Sequence, residues 1–125
     1  MRSIARNLHA VVAWLLVAGL VIQVWLAGRG VFDSGAGFEP HVDTGYTLTV
    51  GPVILLVLGL LGGMGRRVAL LAVGMFVLFI LQSVLVAQRP TAPLIAALHP
   101  VNGFLILFLA IVLARESWML RSQPA

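Results

Sequence analysis

The chain has 125 residues, of which 61% are hydrophobic and only 10% are charged, and its mean hydropathy is +1.08. A soluble domain carries about 25% charged residues, so this composition excludes a soluble domain and predicts an integral protein of the lipid bilayer. The absence of cysteine excludes disulfides, iron–sulfur clusters and thiolate metal ligands.

Four segments are apolar enough to cross a membrane, which takes about 20 residues. They lie at about 8–28, 41–62, 68–87 and 94–114 and account for most of the chain. The sequence therefore predicts an all-α fold in which residues 1–125 form a single transmembrane domain, a four-helix bundle.

Arginine alone indicates the orientation, because the chain has no lysine. Only Arg29 and Arg89 lie beside one set of helix ends. Six arginines lie beside the other set, and these are Arg2, Arg6, Arg66, Arg67, Arg115 and Arg121. The positive-inside rule therefore predicts that both termini lie in the cytoplasm. This topology explains the net charge of +4, so we do not expect nucleic-acid binding.

The first two connections and the second segment contain helix-breaking residues. A glycine-rich loop at residues 30–39 leads to Pro40, a favoured first residue of a helix. Gly51 and Pro52 predict a bend within the second segment. The short turn at residues 62–67 predicts an antiparallel hairpin of the second and third helices.

Two features of the sequence bear on where the fourth helix begins. Thr91 is a predicted N-cap of the fourth helix. Pro100 leaves two alternatives, since it either kinks this helix one turn after its start or lets the helix begin just after His99. In the second case we expect the imidazole to lie in a loop, too far out to bind a ring in the core.

Two stretches share a pattern of His, two variable residues, a small polar residue, Gly and an aromatic residue. They are His41-Val42-Asp43-Thr44-Gly45-Tyr46 and His99-Pro100-Val101-Asn102-Gly103-Phe104. On a helix, the His, the polar residue and the Gly share one face. Histidine is the commonest metal ligand, and glycine removes the side-chain bulk that would keep a macrocycle away from the backbone.

Residues 8–62 and 68–114 look like two copies of one helical hairpin. Four pairs of residues correspond, and they are Gln23 with Gln82, Arg29 with Arg89, His41 with His99, and Gly45 with Gly103. Such a parallel repeat implies a pseudo-twofold axis along the membrane normal. The second and fourth helices are then diagonal in the bundle, and we expect the two histidines to face each other across its outer half.

Opposed neutral imidazoles are the axial ligands of a six-coordinate haem b, so we predict that His41 and His99 bind the haem iron. Arg29 and Arg89 are then expected to contact the haem propionates. A bis-His iron has no open position, so it carries electrons and binds no substrate.

The remaining polar residues of the repeat have a place in the same hypothesis. Gly45 and Gly103 admit the macrocycle, and Gln23 or Gln82 hydrogen-bonds a ligand histidine. The alternative interpretation is that the histidines meet lipid headgroups, the glycines allow close helix packing and the glutamines join helices.

Some polar residues have no counterpart in the other half of the repeat. His9 has no counterpart in the second half, and we expect an interfacial side chain. A second haem on His9 would require a methionine such as Met64 or Met119. Ser117 is assigned to a terminus or loop, so no nucleophile with an adjacent base is predicted.

The layout resembles small four-helix membrane cytochromes b, and its doubled hairpin resembles one half of the haem A synthase family. Residues 98–103, together with His41 and Gly45, are also similar to an uncharacterised bacterial family of four-helix membrane proteins. By analogy with the cytochromes, the haem ligands would be His41 and His99. The chain lacks their second His pair on the inner side, so the resemblance does not extend to a two-haem path across the membrane.

Three functions remain open. The first is a haem b electron carrier with one haem near the outer face, which exchanges electrons with quinol or serves a larger redox complex. The second is a haem-free accessory or assembly subunit. The third, a small multidrug-type transporter, requires a membrane-embedded carboxylate, which we do not expect in the spanning segments. A homodimer with haem between the chains is a further arrangement of the first.

Overall fold

The computed structural model describes residues 1–33, 35 and 37–122. All regular structure in these residues is helical, in α1 (Arg2–Phe32), α2 (Glu39–Leu48), α3 (Gly51–Leu61), α4 (Gly65–Ala87), α5 (Pro93–Ala96) and α6 (His99–Leu120). Four helical spans are long and apolar enough to cross a membrane, namely Arg2–Phe32, Glu39–Leu61, Gly65–Ala87 and Pro93–Leu120. The predicted all-α class is confirmed, and the chain is a multi-pass membrane protein by the length and composition of its helices.

The second span is interrupted between α2 and α3. Pro52 has no N–H, so the carbonyl of Leu48 loses its partner four residues on, and the helix breaks just before the proline. At the end of α2, the N–H of Thr49 donates to the carbonyls of both Gly45 and Tyr46. The irregularity predicted from Gly51 and Pro52 is therefore present.

The fourth span is interrupted between α5 and α6. The long helix begins at His99, with Pro100 in its first turn, so His99 lies in a helix and not in a loop. The short α5 precedes it, and its first residue, Pro93, follows Ala92. The predicted N-cap at Thr91 is wrong, because the Thr91 hydroxyl donates to the Gln88 carbonyl at 3.5 Å.

The helices form a four-membered ring in chain order. α1 packs against the second span and α6, and α4 packs against the same two, so the second and fourth spans are diagonal. Neighbouring spans are antiparallel, since Arg6 near the start of α1 donates from Nε to the Gly62 carbonyl at 2.8 Å, just past the end of α3. Arg67 at the start of α4 forms an ion pair with Glu116 near the end of α6.

Small side chains lie where the long helices meet. Ala13 of α1, Ala72 of α4 and Ala110 of α6 are each at most 1% exposed. Larger side chains such as Leu55 and Met75 fill the space between them and are fully buried. In a bilayer, helices associate by close van der Waals packing rather than by the hydrophobic effect, and small interface residues permit it.

His9 is fully buried, so the expectation of an interfacial side chain is wrong. Its Nδ1 lies 2.8 Å from Oγ of Ser117, a residue of α6 that is also fully buried and does not lie in a loop. The Ser117 hydroxyl donates to the Leu113 carbonyl at 2.6 Å, so it accepts the hydrogen bond from His9. The pair is a histidine beside a hydroxyl, but its complete burial keeps substrates away, and it serves to join α1 to α6.

We predict that Ser117→Ala lowers the free energy of unfolding by about 1–3 kcal/mol, because it leaves the His9 N–H buried without a partner. The double variant His9→Leu/Ser117→Ala should recover much of this loss, since both polar groups are then absent. SDS-induced unfolding in detergent measures the difference, with Ser83→Ala, at an exposed serine, as the control. A double variant less stable than Ser117→Ala would contradict the assignment.

Candidate functional site

The first turn of α2 places His41 against α1. Pro40 precedes it in the first turn of the helix, and His41 is half-buried. Its Nδ1 lies 3.1 Å from the backbone carbonyl of Gln23. A carbonyl inside a helix has a second lone pair, so it accepts this bond from the imidazole N–H without breaking the helix.

The first turn of α6 places His99 against α4 in the same way. Its Nδ1 lies 3.3 Å from the backbone carbonyl of Gln82. The glutamine precedes its histidine by 17 residues here and by 18 in the first half. Each histidine is therefore bonded to the backbone of one of the two glutamines, and both are bonded through the same ring nitrogen.

A hydrogen bond from Nδ1–H leaves Nε2 as the nitrogen with a free lone pair, which is the form that binds a metal. The rings of His41 and His99 have centroids 6.1 Å apart and planes at 68°. A metal–imidazole bond is about 2 Å long, so rings on opposite sides of one metal have centroids roughly 6 Å apart. The same separation also suits an edge-to-face contact between the two rings.

The two halves differ in what contacts Nε2. In the second half, Gln82 Nε2 donates to His99 Nε2 at 3.2 Å. Asn102 holds that amide in place, because its Nδ2 donates to Gln82 Oε1 at 2.6 Å and to the Leu78 carbonyl at 2.9 Å. The lone pair of His99 Nε2 is therefore covered by an amide. The first half has Thr44 at the position that corresponds to Asn102.

The glutamine side chains also lie over the two glycines of the motif. A Cβ added to Gly45 would lie 3.6 Å from Gln23 Nε2, and one added to Gly103 would lie 3.4 Å from Gln82 Nε2. Both distances are ordinary van der Waals contacts. A macrocycle can therefore approach either glycine only after the glutamine side chain has moved aside.

Two buried polar atoms at this site have no hydrogen-bond partner among the described residues, Gln23 Nε2 and Asn102 Oδ1. Native proteins leave few such atoms unpaired, and those that remain call for a water, an ion or a bound molecule. Gln23 also supplies the carbonyl that bonds to His41, and Asn102 also bonds to the side chain of Gln82. The polar groups around the imidazoles thus have unused capacity for a ligand.

The structure does not bring the two outward arginines into this cluster. Arg29 Nη2 lies 3.5 Å from Asp33 Oδ2, and its guanidinium carbon lies 5.3 Å from the Trp25 ring centroid. Arg89 is exposed. Their contact with haem propionates stays a prediction.

The site offers two imidazoles as metal ligands. Within residues 1–33, 35 and 37–122, no group of three or more His, Cys, Asp or Glu side chains lies close enough to hold a bare ion. Two imidazoles are too few for a free metal ion, which usually takes at least three protein ligands. They do suffice for an iron whose other positions are filled by the four nitrogens of a macrocycle.

Asn102 is the site residue whose role sequence reasoning missed. It was noted as the small polar residue of the motif but was given no partner. Its position three residues after His99 indicates the same helix face, which is the available signal. Its contact with Gln82 depends on how α4 and α6 align, which the sequence does not show.

The comparison with known proteins gives a family without a known activity. A family of unknown function, DUF6220, matches residues 23–91, which is more than half of the chain and includes Gln23, His41 and Gln82. No curated protein and no solved structure matches the chain. The match is consistent with the expected resemblance to an uncharacterised family of small helical proteins. The chain belongs to the DUF6220 family.

Proposed function

We propose that this protein is a membrane haem b electron carrier, in which His41 and His99 bind one haem between the second and fourth spans. The observation that supports this most directly is the pair of matched Nδ1 hydrogen bonds to Gln23 and Gln82, which keep both Nε2 atoms in the metal-binding form. The 6.1 Å between the ring centroids would let both imidazoles hold one iron.

The residues present fit this group if the side chains of Gln23 and Gln82 move aside from the two glycines. Gln82 then gives up its hydrogen bonds with His99 Nε2 and Asn102, and each neutral hydrogen bond contributes about 1 kcal/mol. When bound, the haem supplies reversible one-electron chemistry at the iron. His41 and His99 would hold the haem, and the unpaired amide nitrogen of Gln23 would be available to a polar group at the edge of the haem.

The layout supports electron transfer rather than a reaction on a substrate. Two protein ligands on one iron leave no open position, as in the membrane cytochromes b and the half of haem A synthase that this hairpin pair resembles. Electrons would then come from quinol or from a larger redox complex. A homodimer with haem between the chains has the same ligand chemistry.

We also propose that the protein lies in a bacterial inner membrane with both termini in the cytoplasm. Arg6 and Arg67 lie at one end of the bundle, together with the other four of the six arginines that share one set of helix ends, and the histidines lie at the opposite end. By the positive-inside rule, the arginine-rich end faces the cytoplasm. The two imidazoles then lie near the outer face.

A haem-free accessory subunit is the second candidate, and the amide network favours it. Asn102, Gln82 and His99 form hydrogen bonds with one another without a cofactor and join α4 to α6.

A transporter has less support than either of these functions. Glu39, Asp43 and Glu116 do fall within the spans, contrary to our expectation. Glu39 and Asp43 are exposed, however, and Glu116 is paired with Arg67.

We predict that the purified protein, expressed with ample haem, shows the Soret and α bands of six-coordinate haem b in its reduced-minus-oxidised spectrum. His41→Ala and His99→Ala should each abolish the low-spin spectrum, because each removes one axial ligand. His9→Leu is the matched control, since it removes the third histidine, which lies at the other end of the bundle. A folded protein that stays colourless during haem titration would contradict the proposal and favour the accessory subunit.

We predict that Gly45→Ala and Gly103→Ala weaken haem binding about tenfold or more while the haem-free protein stays folded. A Cβ at either position makes only ordinary contacts with glutamine, but it projects from the face that the macrocycle would approach. Gly74→Ala is the control, because a Cβ there meets nothing within 4 Å. Haem titration with parallel circular dichroism separates binding from folding, and unchanged affinity would show that the glycines serve helix packing alone.

The absence of cysteine allows a clean test of orientation. We predict that Gly35→Cys, in the connection between α1 and α2, reacts with a membrane-impermeant maleimide in spheroplasts. Ser122→Cys should react only after lysis, since it follows α6 at the arginine-rich end. The reverse labelling pattern would contradict the proposed topology.

A further inference from the structure

A groove opens between α4 and α6 at the arginine-rich end of the bundle. It has a volume of about 680 Å³, and its wall consists of Arg66, Arg67, Leu70, Leu71 and Leu109. The arginines lie in the first turn of α4. Leu109 lies seven residues before Glu116, the partner of Arg67, which places it about 10 Å farther toward the middle of the bundle. The groove is therefore cationic at its outer end and aliphatic at its inner end.

The cationic end carries charge in excess of its internal ion pair. Glu116 pairs with Arg67, and its side chain is 18% exposed. Arg66 is exposed. The residue before α4, Met64, supplies no side-chain hydrogen bond to the first N–H groups, and the start of a helix is electropositive. Arg66 and the helix end together therefore match one negative charge.

We propose that this groove binds an anionic phospholipid, with its phosphate at Arg66 and one acyl chain along the leucines. The order of the two surfaces agrees with the depth of the two parts of a lipid, since arginines at a helix end lie at the headgroup level. A free phosphate would leave Leu70, Leu71 and Leu109 uncovered. A zwitterionic lipid would bring no net charge to match Arg66. The site lies at the opposite end of the bundle from the histidines, so it is independent of haem.

The test is native mass spectrometry of the delipidated protein with dioleoyl-phosphatidylglycerol, dioleoyl-phosphatidylcholine or inorganic phosphate. We expect phosphatidylglycerol to bind most tightly. Arg66→Gln should weaken it about fivefold, because a surface arginine contributes about 1 kcal/mol to binding an anionic lipid. Arg2→Gln is the matched control, since it removes the same charge from an exposed position outside the groove wall.

A second variant tests the aliphatic part of the groove. Leu70→Trp fills it from a position already 57% exposed, so the core is not disturbed, and we expect a similar loss of affinity. Equal binding of phosphatidylcholine and phosphatidylglycerol would overturn the proposal. Equal weakening by Arg2→Gln and Arg66→Gln would show a diffuse surface charge and no site. Binding of inorganic phosphate that competes with the lipid and survives Leu70→Trp would show a simple anion site.

Discussion

The hydrogen bond from each imidazole to a backbone carbonyl of the neighbouring helix is the interaction on which the site depends. In the apolar part of a bilayer a polar side chain has to find its partner within the protein. His41 and His99 find theirs on Gln23 and Gln82, and the bonds determine which nitrogen carries the proton and how each ring is turned. Two diagonal helices with no extensive contact of their own thereby bring their imidazoles to within 6.1 Å.

Both ends of the bundle use polar side chains to join neighbouring helices. At the arginine-rich end, Arg6 bonds to the Gly62 carbonyl, and His9 bonds to Ser117. These contacts join α1 to α3 and to α6, while His9 Nε2 is buried there without a hydrogen-bond partner among the described residues. At the histidine end, Gln23 Nε2 and Asn102 Oδ1 are buried without partners as well. Each end therefore combines polar contacts between helices with buried polar atoms that no described residue satisfies.

The sequence predicts the helices better than their contacts. Hydropathy indicates all four spans, because length and apolar character alone decide whether a helix can cross a bilayer. Burial of His9 was missed because it depends on the register of α1 against α6, which brings Ser117 alongside. Arg67 pairs across helices with Glu116 for the same reason. The sequence pattern draws attention to the two glutamines and the two histidines, but the contacts of each Nδ1 with a backbone carbonyl depend on how the helices align.

The second half has Asn102 where the first half has Thr44, and Asn102 holds an amide over His99. This amide does not argue against a ligand at His99. A half-buried imidazole nitrogen gains from a hydrogen-bond partner in a low dielectric. Asn102 holds the Gln82 amide in that position. A neutral hydrogen bond contributes only about 1 kcal/mol, so a ligand that bonds to His99 would have little to displace at each contact. The amide network therefore stabilises the haem-free bundle and still leaves His99 available as a ligand.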